Sequence, residues 1–332
     1  MRSVGVNKSF WKAKKVFITG GTGFIGANLT KKLVNLKADV TLIDRDIKNR
    51  NPLKIFKIED KVNKVLGDVR NSDLVDRIIN DYGIEVVFHL SAQPIVGVAN
   101  RSPVSTFESN IRGTWTILES CRRYKDIVKS IVVASSDKAY GDQKNIPYKE
   151  DYPLLGIYPY DASKVCADII ARSYATTFDL PIAVTRLANT YGECDFHLNR
   201  IVPGTIISLL RNEVPVIRSD GSLERDYLYV EDAVKGYLLL AESVYQGQNW
   251  GEAFNFGTGK LTSVIGLFDL IIKISGKKVK PQILGEAYHE IKNQSLDSTK
   301  ANVKLKWQPR VTIGKGLKNT FDWYKSHSRI VT

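Results

Sequence analysis

The chain reads as an α/β protein built on a doubly wound parallel sheet, with a smaller C-terminal α/β substrate lobe. Three observations lead there. Through the first half of the 332 residues, short apolar runs alternate with amphipathic stretches, the pattern of parallel strands covered by helices on both faces. A glycine-rich turn, Gly20-Gly21-Thr22-Gly23-Phe24-Ile25-Gly26, joins the first apolar run to the first amphipathic stretch. After about residue 190 the rhythm lapses into helix-like segments separated by short strand-like pieces.

The strands follow from apolar runs too short for helices and without polar alternation. Val16-Phe17-Ile18, Val40-Thr41-Leu42-Ile43, Val62 to Leu66, Val86 to Leu90 and Ile131 to Ala134 read as buried strands, and Ile182-Ala183-Val184 as a sixth. Helices are expected near 24–37, 72–82, 104–124 and 160–178, then near 201–212, 231–243, 264–275 and 312–326. Residues 1–190 form the nucleotide-binding domain, with 1–14 as an N-terminal extension. Residues 191–332 form mainly the substrate lobe, with exchange of chain between the two.

Composition narrows the partners. Hydrophobic content of 43% and charged content of 25% suit a soluble globular protein. The net charge of +13 comes from Lys and Arg spread over the whole length. That favours a solvated basic surface over a nucleic-acid partner, which calls for clustered basic residues with interleaved aromatics. Attraction of an anionic substrate adds to it. Cys121, Cys166 and Cys194 are an odd number without metal-ligand spacing, and read as free thiols of a reducing compartment. Met1 to Lys15 is polar and basic with no apolar core, and no run approaches the roughly 20 residues that span a bilayer. The expectation is a cytoplasmic protein with no membrane partner. The four histidines form neither a metal nor a triad pattern, so no metal is expected.

The glycines at 20, 23 and 26 follow the first strand and open the first helix. In that context they permit a tight turn, backbone approach to a pyrophosphate, and close helix–strand packing, with the helix N-terminus facing the phosphates. This is a Rossmann-type dinucleotide site. Asp44 ends the second strand, where a carboxylate hydrogen-bonds an adenosine ribose and repels a 2′-phosphate, which favours NAD. Arg45 keeps NADP as an alternative. The cofactor-binding candidates are Gly20, Gly23, Phe24, Ile25, Gly26, Asp44, Arg45, Asp68, Val69, Leu90, Ser91 and Ala92, joined by Tyr160 and Lys164. Asp68-Val69 meets the adenine or simply caps the next helix.

The chemistry-bearing residues are Ser136, Asp137 and Lys138 after the fifth strand, and Tyr160 and Lys164 at Tyr-x-x-x-Lys spacing. With the glycine spacing, Arg186-x-x-Asn189-x-Tyr191-Gly192, Arg225-Asp226-Tyr227 with Val230-x-Asp232, and Leu305-x-Trp307-x-Pro309, the chain resembles the extended short-chain dehydrogenase/reductase family from about residue 15 to Tyr324. The resemblance implies that Tyr160 is the redox acid/base, that Lys164 lowers its pKa and holds the nicotinamide ribose, and that Ser136 hydrogen-bonds the substrate hydroxyl. A free phenol, with pKa about 10, is a poor base near neutrality, so such help is needed.

Asp137-Lys138 is not required for redox alone. It resembles the pair of the nucleoside-diphosphate-hexose 4,6-dehydratases, which implies Asp137 as the acid that protonates the departing 6-hydroxyl and Lys138 as the base at carbon 5. Stretches such as His89-Leu90-Ser91-Ala92-Gln93-Pro94 and Asn199-Arg200-Ile201-Val202-Pro203 are most similar to the CDP-glucose branch of that group. Arg225-Asp226-Tyr227 follows the general sugar-nucleotide pattern, and Asp-Lys also occurs in UDP-N-acetylglucosamine dehydratases, so the base stays open. Gln93, Asn189, Arg200 and Arg225 are the substrate-binding candidates, the guanidiniums because their forks match phosphate oxygens. Two alternatives stand: a sugar-nucleotide 4-epimerase with Asp137-Lys138 merely structural, and a non-catalytic nucleotide-binding scaffold. The resemblance also implies a homodimer formed through the helices near 104–124 and 160–178.

Overall fold

The computed structural model describes residues 5–46, 50–286 and 291–331; the first four residues of the expected N-terminal extension lie outside it. Strands β1 (Lys15–Thr19), β2 (Asp39–Asp44), β3 (Asn63–Leu66), β4 (Val86–His89), β5 (Ser130–Ala134) and β6 (Ile182–Leu187) come first. β7 (Asn189–Tyr191), β8 (Val216–Ile217) and β9 (Glu224–Tyr229) follow. β10 (Ala253–Phe256) precedes β11 (Leu261–Ser263), β12 (Gln282–Ile283) and β13 (Asn293–Gln294).

The main sheet has seven parallel strands in the order β10-β6-β5-β4-β1-β2-β3. β1 lies between β2 and β4, so the order reverses there. Thr19, its last residue, pairs with Ile43 on one side and His89 on the other. Ligands of such sheets enter at the carboxyl ends of the strands beside this reversal. The apolar runs of β1, β4, β5 and β6 are buried between helical layers. Val62 to Leu66, expected as a buried strand, is instead the edge. β3 alternates between half-buried and exposed positions, and Leu66 stands exposed at this end of the sheet.

The helix expected over 104–124 is interrupted. Pro103–Phe107 and Gly113–Arg123 are joined by a π-type turn, Glu108–Arg112. The extra residue in that turn directs the Asn110 side chain inward, where it accepts from the Gln93 amide at 2.6 Å and donates to Ser163 Oγ at 2.9 Å.

The chain crosses between the halves more than once. Helix Val230–Tyr245 packs on β5, β6 and helix Phe24–Asn35, and β10 then completes the main sheet beside β6. The lobe keeps a four-stranded sheet with β9 at its centre, bonded to β7, β11 and β13, and a β8–β12 pair. The extension is no loose arm. Asn7 caps helix Lys8–Trp11, and Trp11 is fully buried, its Nε1 donating to Glu242 at 2.6 Å. Among the described residues, no helix is long and apolar enough to cross a membrane.

Candidate active site

β5 ends at Ala134, and the chain turns through Ser135 and Ser136 into a short 3₁₀ turn, Asp137–Tyr140. Ser136 Oγ accepts from the Lys138 amide at 3.2 Å and donates to Asp137 Oδ1 at 3.0 Å. The other carboxylate oxygen of Asp137 is buried without a partner. Burial pushes the Asp137 pKa up, with Lys138, Ser136 and Arg225 opposing and Asp226 adding to the rise. This turn forms one wall of a cleft of about 1810 Å³ at the carboxyl ends of the strands.

Helix Pro159–Phe178 packs against this turn and adds its first turns to the cleft lining. Pro159 in its first turn fits the fixed φ of proline, and Tyr160 and Lys164 follow one helical turn apart. Burial raises the Tyr160 phenol to about 12, while a hydrogen bond with Ser136 and the charge of Arg200 pull it back. The resemblance assigns that pull to Lys164. In the structure Lys164 Nζ donates to the Ala134 carbonyl at 2.9 Å, and burial lowers its own pKa to about 8. Lys164 is thereby tied to the end of β5 and lines the cleft together with Tyr160.

The glycine turn lies at the other end of the cleft. Gly20 has φ +73, and a Cβ there would meet the Ser91 backbone nitrogen at 2.9 Å. A Cβ on Gly26 would run into the Gly20 carbonyl. Both positions therefore need glycine, one for conformation and one for helix–strand contact. Helix Phe24–Asn35 begins at Gly23 with no side-chain cap, leaving its first amides open to an anion. Thr22 Oγ1 donates to Asp44 Oδ1 at 2.5 Å, which fixes the carboxylate at the tip of β2. These residues fit a dinucleotide: bare backbone and a helix N-terminus for the pyrophosphate, a carboxylate for a ribose. Arg45 is turned to Asp46 at 3.1 Å. Asp68 does not cap the next helix, since Asn71 does so through the Leu74 amide. Asp68 instead accepts from the Arg70 guanidinium at 2.8 and 3.0 Å and from the Arg70 amide at 2.9 Å.

Every candidate named from the sequence lines this one cleft, from Gly20, Phe24, Ile25, Val69 and Ala92 at the glycine end to the four substrate candidates. Gln93 is held by Asn110 through its backbone. Asn189 Nδ2 is buried without a partner. Arg200 pairs with buried Asp195 at 3.1 Å and lies over the Phe24 ring. Arg225 is nearly buried, and its Nη1 donates to the Glu224 and Lys292 carbonyls at 2.9 and 3.0 Å. That fixes it as part of the wall beside Asp137, and leaves Arg200 the more accessible guanidinium.

His89 is a structural centre. Thr114 Oγ1 donates to the Asn110 carbonyl at 2.6 Å, so His89 Nε2 donates to Thr114 and Nδ1 accepts from Thr19 Oγ1 at 2.8 Å. Burial and then Lys164 lower its pKa to about 3, keeping it neutral. Thr19 Oγ1 also accepts from Ser91 N and Oγ. Sequence reading missed Asn110 and Ser163, which tie the Gln93 loop to the Tyr160 carbonyl. The one available signal was a lone Asn inside a helical pattern.

The model of the NAD dependent epimerase/dehydratase family matches residues 16–257. The chain belongs to this family. As a family member it is an NAD-dependent enzyme of Rossmann type. It is 30% identical to the CDP-glucose 4,6-dehydratase of Salmonella typhimurium, over 98% of this chain and 94% of that one. It is 34% identical to a putative UDP-glucose 4-epimerase of Methanocaldococcus jannaschii, over 95% of this chain and 99% of that one. Among solved structures, the UDP-glucose 4-epimerase of Thermotoga maritima with UDP-glucose superposes with a TM-score of 0.87 at 30% identity, covering 95% of this chain and 99% of that one.

Proposed function

We propose that this family member is a nucleoside-diphosphate-hexose 4,6-dehydratase, a lyase, with CDP-glucose as the favoured substrate. The observation that carries the reading is Asp137: a buried carboxyl in the lining of the cleft, with a raised pKa and one oxygen left without a partner. A carboxyl whose pKa is raised by burial is suited to act as a general acid. A 4-epimerase has no use for one there.

The chemistry NAD supplies when bound is removal of two electrons at carbon 4 and their return at carbon 6. Tyr160 accepts the proton of the 4-hydroxyl as its phenolate, a form that the positive charge of oxidised nicotinamide would favour against burial once NAD is bound, and Ser136 orients that hydroxyl. The resulting 4-ketone acidifies the hydrogen on carbon 5. Lys138 takes that proton, which requires its ammonium to have lost one beforehand, while Asp137 protonates the 6-hydroxyl so that it leaves as water. Lys138 then returns its proton to carbon 5 as carbon 6 is reduced, and the proton held by Tyr160 restores Asp137. The balance is NDP-hexose to NDP-4-keto-6-deoxyhexose plus water. Arg200 is the first candidate for the diphosphate, with Asn189 and Gln93 toward the sugar and Arg225 toward the acid/base turn.

Similarity along nearly the whole chain to a CDP-glucose 4,6-dehydratase supports the choice of cytidine. The free thiols Cys121, Cys166 and Cys194 support a reducing, cytoplasmic setting. Exposed apolar side chains on helices Pro103–Phe107, Gly113–Arg123 and Pro159–Phe178 support a homodimer. Incubation with CDP-glucose should yield the 4-keto-6-deoxy product with no net reduction of NAD. Unchanged sugar across CDP-, UDP-, dTDP- and GDP-hexoses would sink the reading. The epimerase alternative draws support from the 34% identity to a putative epimerase. An oxygen-18 label on the 6-hydroxyl separates the two, since an epimerase retains it.

A further inference from the structure

Arg186 on β6 is fully buried. Its Nε and Nη2 donate to the two oxygens of Asp168 at 2.8 and 2.9 Å. Asp168 is buried too, and lies four residues beyond Lys164 on the helix that carries Tyr160. Arg186 Nη1 donates to Tyr140 Oη at 2.8 Å and to the Glu150 carbonyl at 3.1 Å. Tyr140 is the last residue of the turn that carries Asp137 and Lys138. Its ring faces the guanidinium at 4.8 Å, and its hydroxyl donates to Asn255 Oδ1 on β10 at 2.8 Å. Asn255 is held in turn by the Tyr148 and Asp297 carbonyls and by Glu150.

We propose that Arg186 and Tyr140 are positioning residues that set the acid/base turn, Asp137-Lys138, in register with the redox pair, Tyr160 and Lys164. The proposal rests on the dehydratase reading. One guanidinium joins the two halves of the chemistry: its fork holds the Tyr160 helix through Asp168, and its remaining nitrogen holds the turn through Tyr140. The reaction acts on carbon 4 with one half and on carbons 5 and 6 with the other, so their separation must match adjacent atoms of one sugar. A buried ion pair of this kind stabilises little beyond what apolar packing would achieve, whereas geometric register is what a rigid, bidentate contact supplies.

The test is Tyr140→Phe, which keeps the ring and removes the hydroxyl. Single-turnover mixing with CDP-glucose follows the absorbance of reduced nicotinamide, and solvent deuterium at carbon 5 follows the proton transfer there. Oxidation at carbon 4 should proceed near the wild-type rate. Elimination should slow about 10-fold or more, the scale of a misplacement below 1 Å. Reduced nicotinamide then accumulates, and deuterium entry at carbon 5 falls in step. Asp168→Asn, which keeps shape and loosens the other arm, should slow oxidation at carbon 4 more than elimination, and reads the clamp should Tyr140→Phe not fold. Equal slowing of both steps, or of neither, in a dehydrating enzyme would overturn the clamp alone. A wild type that only epimerises would overturn the reading beneath it as well.

Discussion

Asp137 is held between burial, which favours its neutral form, and Lys138, Ser136 and Arg225, which favour its anion; burial prevails. A carboxyl whose folded pKa is raised contributes stability that is fully present below its unfolded value and lost as pH rises through the folded one. Ionised Asp137 is therefore a liability above the folded value. Asp137→Asn cannot ionise, so its stability relative to wild type should improve as pH rises above the ordinary carboxylate range, measured by thermal unfolding at each pH. Its dehydration rate should fall by about 10²–10⁴-fold, the usual contribution of a general acid. A stability difference that does not change with pH would show that the carboxyl is not held protonated by the fold. At this scale the sequence shows residue types and spacing: Ser136-Asp137-Lys138 and Tyr160-x-x-x-Lys164 are legible as a chemical set. Which oxygen of Asp137 lacks a partner, or that Lys164 bonds the Ala134 carbonyl, depends on strand-end geometry that no spacing encodes.

The elements that were legible are those whose character is local. β1, β4, β5 and the first half of β6 each carry an apolar run of three or four residues, and the glycine turn announces both its bend and the helix behind it. β10 was not legible, because Ala-Phe-Asn-Phe carries a buried Asn255 whose partners lie in distant segments. Helix Lys8–Trp11 was hidden for the same reason. Four residues cannot sustain a helix by themselves, and the flanking sequence is basic and polar. Trp11 holds it, stacked 6.1 Å from Phe88 of β4 and bonded to Glu242. Trp11→Ala should therefore cost about 3–5 kcal/mol, the range for deleting a large aromatic from a core. A urea unfolding curve checks it. Because Trp11 lies at the amino end of β1, away from the glycine turn, NAD affinity of the folded fraction should be unchanged. A loss well below that range would mean that the segment only rests on the sheet.

The halves of the molecule are interleaved in a way that a linear boundary near residue 190 conveys only coarsely: residues 230–256 return to the main sheet before the chain re-enters the lobe. A consequence is that the described residues lining the cleft come from both halves of the chain, and assembly is a separate question. Val104 is 72% exposed, and Trp115, Ile169 and Phe178 also stand out on the helical layer over that half of the sheet. Helices Gly113–Arg123 and Pro159–Phe178 pack against each other, so these side chains belong to one layer. Monomers rarely leave large apolar areas uncovered, and a second copy presenting the same layer would cover them with a two-fold, self-complementary contact. Sedimentation should therefore give twice the chain mass of 37.2 kDa. Trp115→Glu combined with Ile169→Glu buries two unpaired carboxylates in that contact, a cost that shifts the species to monomer. Since no cleft residue is altered, the monomer should retain most of its turnover. A wild type that sediments as a monomer would remove the interface, and a monomeric variant without activity would mean that the second copy shapes the site.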